Sequence, residues 1–217
     1  MQIKNPKDLK GKWRESFPGC KLWLELGCGK GRFTAGTAQA NPDVMLLAVE
    51  KVRDAMIKGM ELVCENEIFN VRFMDMDALE LREVFGQGEV ERIFLNFSDP
   101  WPKSRDAKHR LTAPGFLRSY ADLLPVGGEI HFKTDNRPLF DWSLEQFTAE
   151  GGVLKELTYD LHKKGVCGIM TDYEMKFHAQ GVPITRVVAV KTEATKDGRA
   201  GVPERLRDAA LSDARGN

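Results

Sequence analysis

This sequence lacks several features that mark whole classes of proteins. None of its apolar runs approaches the ~18 residues that a membrane-spanning helix needs. The opening residues, MQIKNPK, are polar and do not contain the apolar segment of a secretory signal. Neither sign of charge is in excess, because 32 basic residues balance 32 acidic ones. We therefore expect neither a membrane protein nor an exported one, and the neutral balance counts mildly against a nucleic-acid binder.

Cysteine is also scarce, and its spacing does not suggest a metal site. Cys20, Cys28, Cys64 and Cys167 form no CxxC pair and show no spacing typical of zinc ligands. We expect reduced thiols in a cytoplasmic protein that holds no metal. Hydrophobic residues make up 42% of the 217 residues, which is enough apolar material for the core of one α/β domain.

What the sequence does contain is an alternation of apolar strand-like runs with helix-like segments. This alternation predicts an α/β fold with a mostly parallel sheet and helices on both faces. The connection between the last two strands contains glycines and a proline but no convincing helical pattern, so it predicts a loop-rich antiparallel addition at the sheet edge. The predicted strands are 21–26, 44–50, 71–76, 92–97, 128–134, 153–160 and 185–192, and the predicted helices cover about 30–40, 52–66, 114–124 and 137–150.

These elements divide the chain into three parts. Residues 1–20 form a basic N-terminal arm, residues 21–192 form the single domain, and residues 193–217 form a charged, alanine-rich tail. We expect that tail to be disordered or only partly helical.

The segment LELGCGKG closes the first predicted strand and opens a helix. Glycines at 27, 29 and 31 let the backbone pass close to a ligand at the helix N-terminus. The spacing is GxGxG and not the dinucleotide pattern GxGxxG, and Glu25 precedes the first glycine by two positions. A pyrophosphate would lie badly beside that carboxylate, whereas the cationic amino group and sulfonium of S-adenosylmethionine suit it. The alternative is an ordinary turn without a ligand.

Acidic residues also follow the second and third predicted strands. Glu50 lies at about the spacing at which nucleotide-type folds place a carboxylate on the ribose hydroxyls, although a helix-capping role is an equal alternative. Asp75 and Asp77 flank Met76, and one of them is expected to accept from an adenine amino group while the other caps a helix. Asp77 is the preferred ligand because it lies further past the strand end.

The stretch NFSDPWPK, residues 96–103, follows the fourth strand, and we refer to it as the proline loop. Its two prolines restrict the backbone, so Asp99, Trp101 and Lys103 are displayed on a stiff platform. Ligands of α/β sheets bind at such strand ends. The loop opens a basic segment, because residues 103–110 contain four basic residues against one acidic. Residues 4–14 carry five against one. Two such patches would suit a protein that holds a polyanion at one face.

The motifs ELGCGKG, AVE, MDMDA, NFSDPWPK, FKTDN and TDYE occur in a diagnostic order. Over residues 21–190 the chain resembles the tRNA (guanine-N7-)-methyltransferase family of the bacterial single-subunit type. This resemblance implies the class I S-adenosylmethionine-dependent methyltransferase fold, which is Rossmann-like and has a seven-stranded, mostly parallel sheet with an antiparallel strand. It also implies methyl transfer from S-adenosylmethionine to N7 of the variable-loop guanine, position 46, of tRNA.

The resemblance also implies roles for individual residues. The cofactor contacts implied are Glu25, Gly27, Gly29, Glu50, Asp77 and Asp99, with Asp99 also catalytic; the substrate contacts are Lys103, Asp135, Thr171, Asp172, Tyr173 and Glu174; and the RNA contacts are Arg105, Lys108, His109 and Arg110. Two of the substrate contacts have structural alternatives: Asp135 could belong to a helix cap with Asn136, and Tyr173 could be a core aromatic.

The basic segment departs from the family's usual sequence at Ser104, Asp106 and His109, which lower its positive charge. We therefore expect weaker tRNA binding than in a more basic relative, with compensation from the N-terminal arm. Two other hypotheses remain open: a methyltransferase of a different acceptor, and a catalytically silent RNA-binding relative. The expected state is a monomer or a homodimer.

Overall fold

The computed structural model of this protein describes residues 1–198, and a seven-stranded sheet forms its centre. The strand order is β3-β2-β1-β4-β5-β7-β6, in which β7 is antiparallel to both of its neighbours and the other pairs are parallel. The strands are Lys21–Leu26 (β1), Val44–Glu50 (β2), Val71–Asp75 (β3), Arg92–Asn96 (β4), Glu129–Thr134 (β5), Val153–Thr158 (β6) and Thr185–Val190 (β7).

Helices connect these strands, and the four predicted helices are all present with bounds within two residues of those expected. Three short 3-10 segments, at Pro6–Leu9, Ala78–Glu80 and Ser104–His109, supplement them. The α-helices of the described residues are Trp13–Ser16 (α1), Arg32–Ala40 (α2), Arg53–Glu65 (α3), Leu81–Val84 (α4), Pro114–Leu123 (α5), Arg137–Ala149 (α6) and Asp172–Ala179 (α7). None of them is long and apolar enough to cross a membrane.

The alternation of side chains along β1 explains why helices cover both faces of the sheet. Leu22, Leu24 and Leu26 belong to one buried cluster, together with apolar residues of α4, α5 and α6. Trp23 belongs to a second cluster, together with residues of α2 and α3. Because successive side chains of a strand point to opposite faces, a continuously apolar strand needs cover on both sides. The predicted two-sided α/β fold is therefore confirmed.

The basic N-terminal segment packs firmly against the domain. Trp13 is fully buried; its indole N–H donates to the Val84 carbonyl at 2.8 Å, and its ring stacks on Phe85. The Ile3 amide donates to the Phe73 carbonyl at 2.9 Å, next to the outer strand β3. Residues 1–20 thus contribute to the core, which charge alone did not reveal.

Two cations of this segment are already paired within the chain, which reduces the positive charge that the N-terminal arm can offer to a polyanion. Lys7 forms ion pairs with Glu80 and Glu83, and Arg14 lies 3.1 Å from Glu91. If the N-terminal segment compensates for the reduced positive charge of residues 103–110, the exposed lysines at 4, 10 and 12 must supply the charge.

Two expectations about the C-terminal part were wrong. The connection between β6 and β7 contains the helix α7, which a capping box of Thr171 and Glu174 begins. Its short length and mixed polarity hid it, because an eight-residue helix shows little periodicity. Residues 193–198 are not a free tail: the Lys196 amide donates to the Glu150 carbonyl at 2.8 Å. The rest of the predicted tail, from residue 199, lies outside the described residues.

Candidate active site

One cleft of about 780 Å³ opens at the carboxyl ends of the parallel strands. It lies where β1 adjoins β4, the point at which strand order reverses and ligands of α/β sheets bind. The glycine turn, the strand ends of β2 and β3, the proline loop and the start of α7 all line it. The predicted residues that line this cleft are Glu25, Gly27, Gly29, Glu50, Asp77, Asp99, Lys108, His109, Thr171, Asp172 and Tyr173.

The glycine turn depends on backbone conformations that favour glycine. Gly29 has φ of +55° and Gly31 has φ of +77°. A Cβ on Gly31 would lie only 2.7 Å from the Cα of Gly59, so these two glycines let α2 and α3 approach closely. The amide of Gly29 donates to the Glu50 carboxylate at 2.9 Å, which ties the turn to the end of β2. Glu50 also accepts from the two amides that follow it, but both lie before the first residue of α3, whose N-cap is Val52 without a side-chain cap, so the helix-capping alternative was wrong.

Glu25 is a buried carboxylate at the base of the cleft. It is 1% exposed and accepts hydrogen bonds from Thr34 Oγ1 at 2.6 Å and from Asn96 Nδ2 at 3.1 Å. Burial raises the pKa of Glu25 to about 7, although both hydrogen bonds lower it. A cation that entered the cleft would favour the ionised form of this carboxylate.

Asn96 and Cys28 complete the floor of the cleft. Among the described residues, Asn96 Oδ1 is buried and has no hydrogen-bond partner. A ligand that brings an N–H donor, such as an α-ammonium group, would satisfy it, so the donor set fits S-adenosylmethionine. The Cys28 thiol is buried and its pKa is raised well above the ordinary value by burial, which makes a nucleophilic role unsuitable.

The two aspartates at the end of β3 have different roles from those expected. Asp75 forms an ion pair with Arg53 at 2.6 Å and caps no helix. Asp77 itself caps the following 3-10 segment, accepting from the Leu79 amide at 2.9 Å, and also lines the cleft. The preference for Asp77 over Asp75 as the cleft residue is therefore consistent with its position, but the capping role assigned to the other aspartate was wrong.

The proline loop holds unusual backbone conformations. Phe97 has φ of +54° and Trp101 has φ of +42°, which are uncommon for bulky residues. Such strain persists only where neighbours impose it, and it is frequent at active sites. Arg110 supplies part of that constraint: its guanidinium donates to the carbonyls of Pro100 and Trp101 at 3.0 Å. Asp99, between the two strained positions, is exposed in the cleft.

The predicted RNA-contacting segment forms a 3-10 helix beside the cleft. Lys108 and His109 line the cleft, and the His109 ring lies 5.2 Å from that of Trp101. Arg105 is exposed outside the cleft and lies 3.8 Å from Asp106. Arg110 packs over the Trp142 ring at 4.4 Å and bonds the proline loop. It is thus engaged in holding that loop and is less available to RNA than predicted.

Among the residues predicted to bind substrate, two lie outside the cleft and three line it. Lys103 is exposed but does not line the cleft, and Asp135 is half-buried outside it. Asn136, and not Asp135, caps α6 by accepting from the Leu139 amide at 2.8 Å. Thr171, Asp172 and Tyr173 line the cleft, and Tyr173 is 64% exposed, so it is not a core aromatic.

Glu174 differs from the other substrate-binding candidates because it is fully buried. Its carboxylate lies 2.6 Å from Lys133 Nζ and 3.0 Å from His162 Nε2. A direct contact of Glu174 with a substrate therefore does not occur in this conformation. Asn96, Lys133 and His162 were missed as site residues. Each acquires its role from a partner on another element, which is β1 for Asn96 and α7 for Lys133 and His162.

The described residues contain no group of three metal-ligating side chains that could hold an ion. All four cysteines are free thiols, and Cys64 and Cys167 are exposed.

Comparisons with known proteins show the family of this chain. A model of the family described as "Putative methyltransferase" matches residues 20–187. A tRNA (guanine-N(7)-)-methyltransferase of Listeria monocytogenes serotype 4b (strain F2365) is 46% identical over 87% of this chain and 89% of its own length. The enzyme of that name from Bacillus subtilis (strain 168) is 45% identical over 86% of this chain and 88% of its own length.

The chain belongs to the tRNA (guanine-N(7)-)-methyltransferase family.

A solved structure supports the fold of this family member independently. The 16S rRNA methyltransferase KamB superposes with a TM-score of 0.64, covering 84% of this chain and 93% of its own, at 15% identity. At that identity the likeness shows the fold alone. The predicted class I methyltransferase fold is thus confirmed. The predicted family is confirmed by the sequence identity to its members.

Proposed function

We propose that this chain transfers a methyl group from S-adenosylmethionine to N7 of the variable-loop guanine, position 46, of tRNA. The observation that carries this proposal is the single cleft that contains both Glu25 and Asp99. Glu25 lies near the end of β1 and Asp99 follows β4, and the sheet order reverses between these two strands. The family to which the chain belongs, and the names of its relatives, supply the reaction and the acceptor.

The cofactor would be held at the glycine-turn side of the cleft. Glu25 and Asn96 offer a carboxylate and an unpaired acceptor for its amino group, and Gly27 and Gly29 allow its close approach. Glu50 and Asp77 offer carboxylates to its ribose and adenine. When bound, the cofactor supplies an electrophilic methyl group on a sulfonium.

The chemistry at N7 demands orientation more than proton transfer. The N7 lone pair carries no proton, and methylation leaves a positive charge on the purine. Asp99 can orient the guanine through its N–H groups and stabilise the charge that develops in the transition state. The restrained backbone around Asp99 keeps that carboxylate in place, which lowers the cost of ordering it during the reaction.

The tRNA would lie across the basic segment next to the cleft. Lys103, Arg105 and Lys108 are exposed there, and such side chains bind phosphates without reading sequence. We infer that the protein works as a monomer or a homodimer. An enzyme that acts on tRNA in bacteria would work in the cytoplasm.

The test uses unmodified tRNA transcripts that contain a variable-loop guanine. These are incubated with the purified protein and methyl-labelled S-adenosylmethionine, and nuclease mapping locates the label. Asp99→Asn preserves the shape of the side chain and removes its charge, and it is expected to lower transfer by about 100-fold or more. Asp43→Asn, an exposed aspartate that does not line the cleft, is the matched control.

Each alternative gives a different result in this experiment. Tight binding of tRNA by the wild-type protein without label transfer would indicate a catalytically silent RNA-binding relative. Absence of both binding and transfer would indicate a different acceptor. Label at N7 of the variable-loop guanine in wild type and Asp43→Asn, but not in Asp99→Asn, would establish the proposed reaction.

A further inference from the structure

Three ionisable side chains form a buried cluster behind the cleft. Lys133 on β5 is 7% exposed, His162 is 6% exposed and Glu174 on α7 is fully buried. The lysine and histidine lie 2.6 Å and 3.0 Å from the Glu174 carboxylate. Buried charges are costly unless they are paired, and apolar residues are often as good for stability alone.

The hydrogen bonds determine the protonation of His162. Its Nδ1 accepts from the Cys167 amide at 3.1 Å, so Nδ1 carries no proton. The proton must then be on Nε2, which donates to Glu174. His162 is neutral in this arrangement, and Lys133 supplies the positive charge that balances Glu174. The ring of His178 lies 4.8 Å from the His162 ring.

The cluster holds the N-terminus of α7 from both sides. Glu174 and Thr171 form a reciprocal cap, in which each side chain accepts from the other residue's amide. Lys133 Nζ also donates to the carbonyl of Ile169 at 3.2 Å, just before the helix. An eight-residue helix is not stable by itself in water, so tertiary contacts must determine its position. Those contacts bring Asp172 and Tyr173 into the cleft.

Lys133 connects α7 to the proline loop as well. Its main-chain carbonyl accepts from the amide of Phe97 at 2.9 Å, where the strained part of that loop begins. Its backbone pairs in register with Asn96, the partner of Glu25. Phe97 and Phe177 of α7 also stack, with ring centroids 6.3 Å apart. The backbone of Lys133 thus supports the proline loop, and its side chain supports α7.

We propose that Lys133, Glu174 and His162 are positioning residues that hold the start of α7 against the proline loop, so that Tyr173 and Asp172 meet the RNA substrate. This inference rests on the proposed function, because it takes RNA to be the ligand on that side of the cleft. It assigns roles to Lys133 and His162. It also gives Glu174 an indirect role in place of substrate contact.

The test compares two replacements of His162. His162→Gln retains one donor and one acceptor, whereas His162→Leu removes both at similar volume. We expect His162→Leu to raise the KM for tRNA by about tenfold, the factor for losing a buried hydrogen bond, with kcat and S-adenosylhomocysteine affinity nearly unchanged. Hydrogen exchange of the amides at 172–179 should accelerate in the same variant. His162→Gln should restore both values towards those of wild type.

Two results would overturn the inference. One is an unchanged KM for tRNA in folded His162→Leu; the other is equal loss in the leucine and glutamine variants. If His162→Leu does not fold, Lys133→Met with Glu174→Gln removes both charges together and takes its place in the same assays. Wild-type protein that fails to methylate tRNA would count against the proposed function. Normal wild-type transfer with an unchanged KM in the variants would count against the positioning role alone.

Discussion

The side-chain amide of Asn96 on β4 donates to the Glu25 carboxylate on β1 at 3.1 Å, below the point where the two strands separate. This bond connects the glycine turn, which follows Glu25, to the proline loop, which Asn96 begins. A buried polar contact therefore links the two halves of the cleft. Because the contact is buried, its strength and the ionisation of Glu25 affect the whole site.

Cofactor binding should depend on pH through Glu25. Its pKa of about 7, raised by burial, means that the carboxylate is largely protonated below neutrality. A cationic amino group binds the ionised form, so the affinity for S-adenosylhomocysteine should fall about tenfold per pH unit below 7 and level off above it. Calorimetric titration between pH 5.5 and about 8 measures this. The same slope in Glu25→Gln would show that another group is responsible.

The same pKa shift should influence the stability of the unliganded protein in the opposite direction. The folded pKa lies above the ordinary value of 4.5, so folding takes up a proton between these values. The free energy of unfolding should therefore decrease as pH rises from 4.5 to 7, by up to a few kcal/mol. Urea titrations at several pH values should show this decrease in wild type and a flatter profile in Glu25→Gln. Parallel profiles would contradict the assignment.

A methyl group added at Gly31 should destabilise the domain. Its Cβ would lie 2.7 Å from the backbone of Gly59, and φ is +77°, which alanine rarely adopts. Gly31→Ala should lower the free energy of unfolding by about 2–4 kcal/mol, measured by denaturant titration. The control is Gly115→Ala in α5, where a Cβ meets nothing within 4 Å and φ is not positive. That change should be neutral or stabilise by up to about 1 kcal/mol.

Replacing Arg110 should impair the proline loop without affecting the cofactor side of the cleft. Arg110→Lys loses the planar group that reaches the carbonyls of Pro100 and Trp101 and packs on Trp142. We expect kcat to fall about tenfold, by misplacement of Asp99, with unchanged affinity for S-adenosylhomocysteine. The exposed Arg105→Lys keeps its charge and should retain kcat. Normal kcat in Arg110→Lys would show that the prolines and the contacts of Phe97 maintain the loop without Arg110.

Removing the negative charge of Asp106 should strengthen tRNA binding. Asp106 lies 3.8 Å from Arg105 within the basic segment, where it opposes an approaching phosphate. Asp106→Asn should increase tRNA affinity severalfold at low salt, and the gain should shrink as salt is added. Filter binding at several salt concentrations tests this, with Asp43→Asn as the remote control. An equal gain in the control would indicate a general charge effect and not a local one.

Deletion of residues 1–14 should destabilise the protein before it reveals anything about RNA. Trp13 is fully buried against Phe85, and losing such an aromatic contact costs about 3–5 kcal/mol. A cleaner test of this segment replaces Lys4, Lys10 and Lys12 with alanine. If these lysines contact tRNA, the slope of log affinity against log salt should become shallower at unchanged melting temperature. An unchanged slope would exclude the segment from the RNA interface.

The elements with strong local signals were predictable. β1, β2 and β4 are mostly apolar runs, and α3 and α6 are long enough to show periodicity, so their positions agree with expectation within two residues. The short helix α7 was missed because its polar residues serve a cap and a buried cluster and not an amphipathic stripe. The packing of Trp13 was missed because a single aromatic in a basic segment has no periodic context.

The sequence by itself determined the fold class, the strand-end carboxylates at 25, 50, 77 and 99, and the family, because these depend on local patterns along the chain. Only the tertiary structure decided which side chains face the cleft and which support it. It buried Glu174, engaged Arg110 with the proline loop and brought Lys133 between that loop and α7. Such roles arise from partners 9 to 41 residues apart, so no local pattern encodes them.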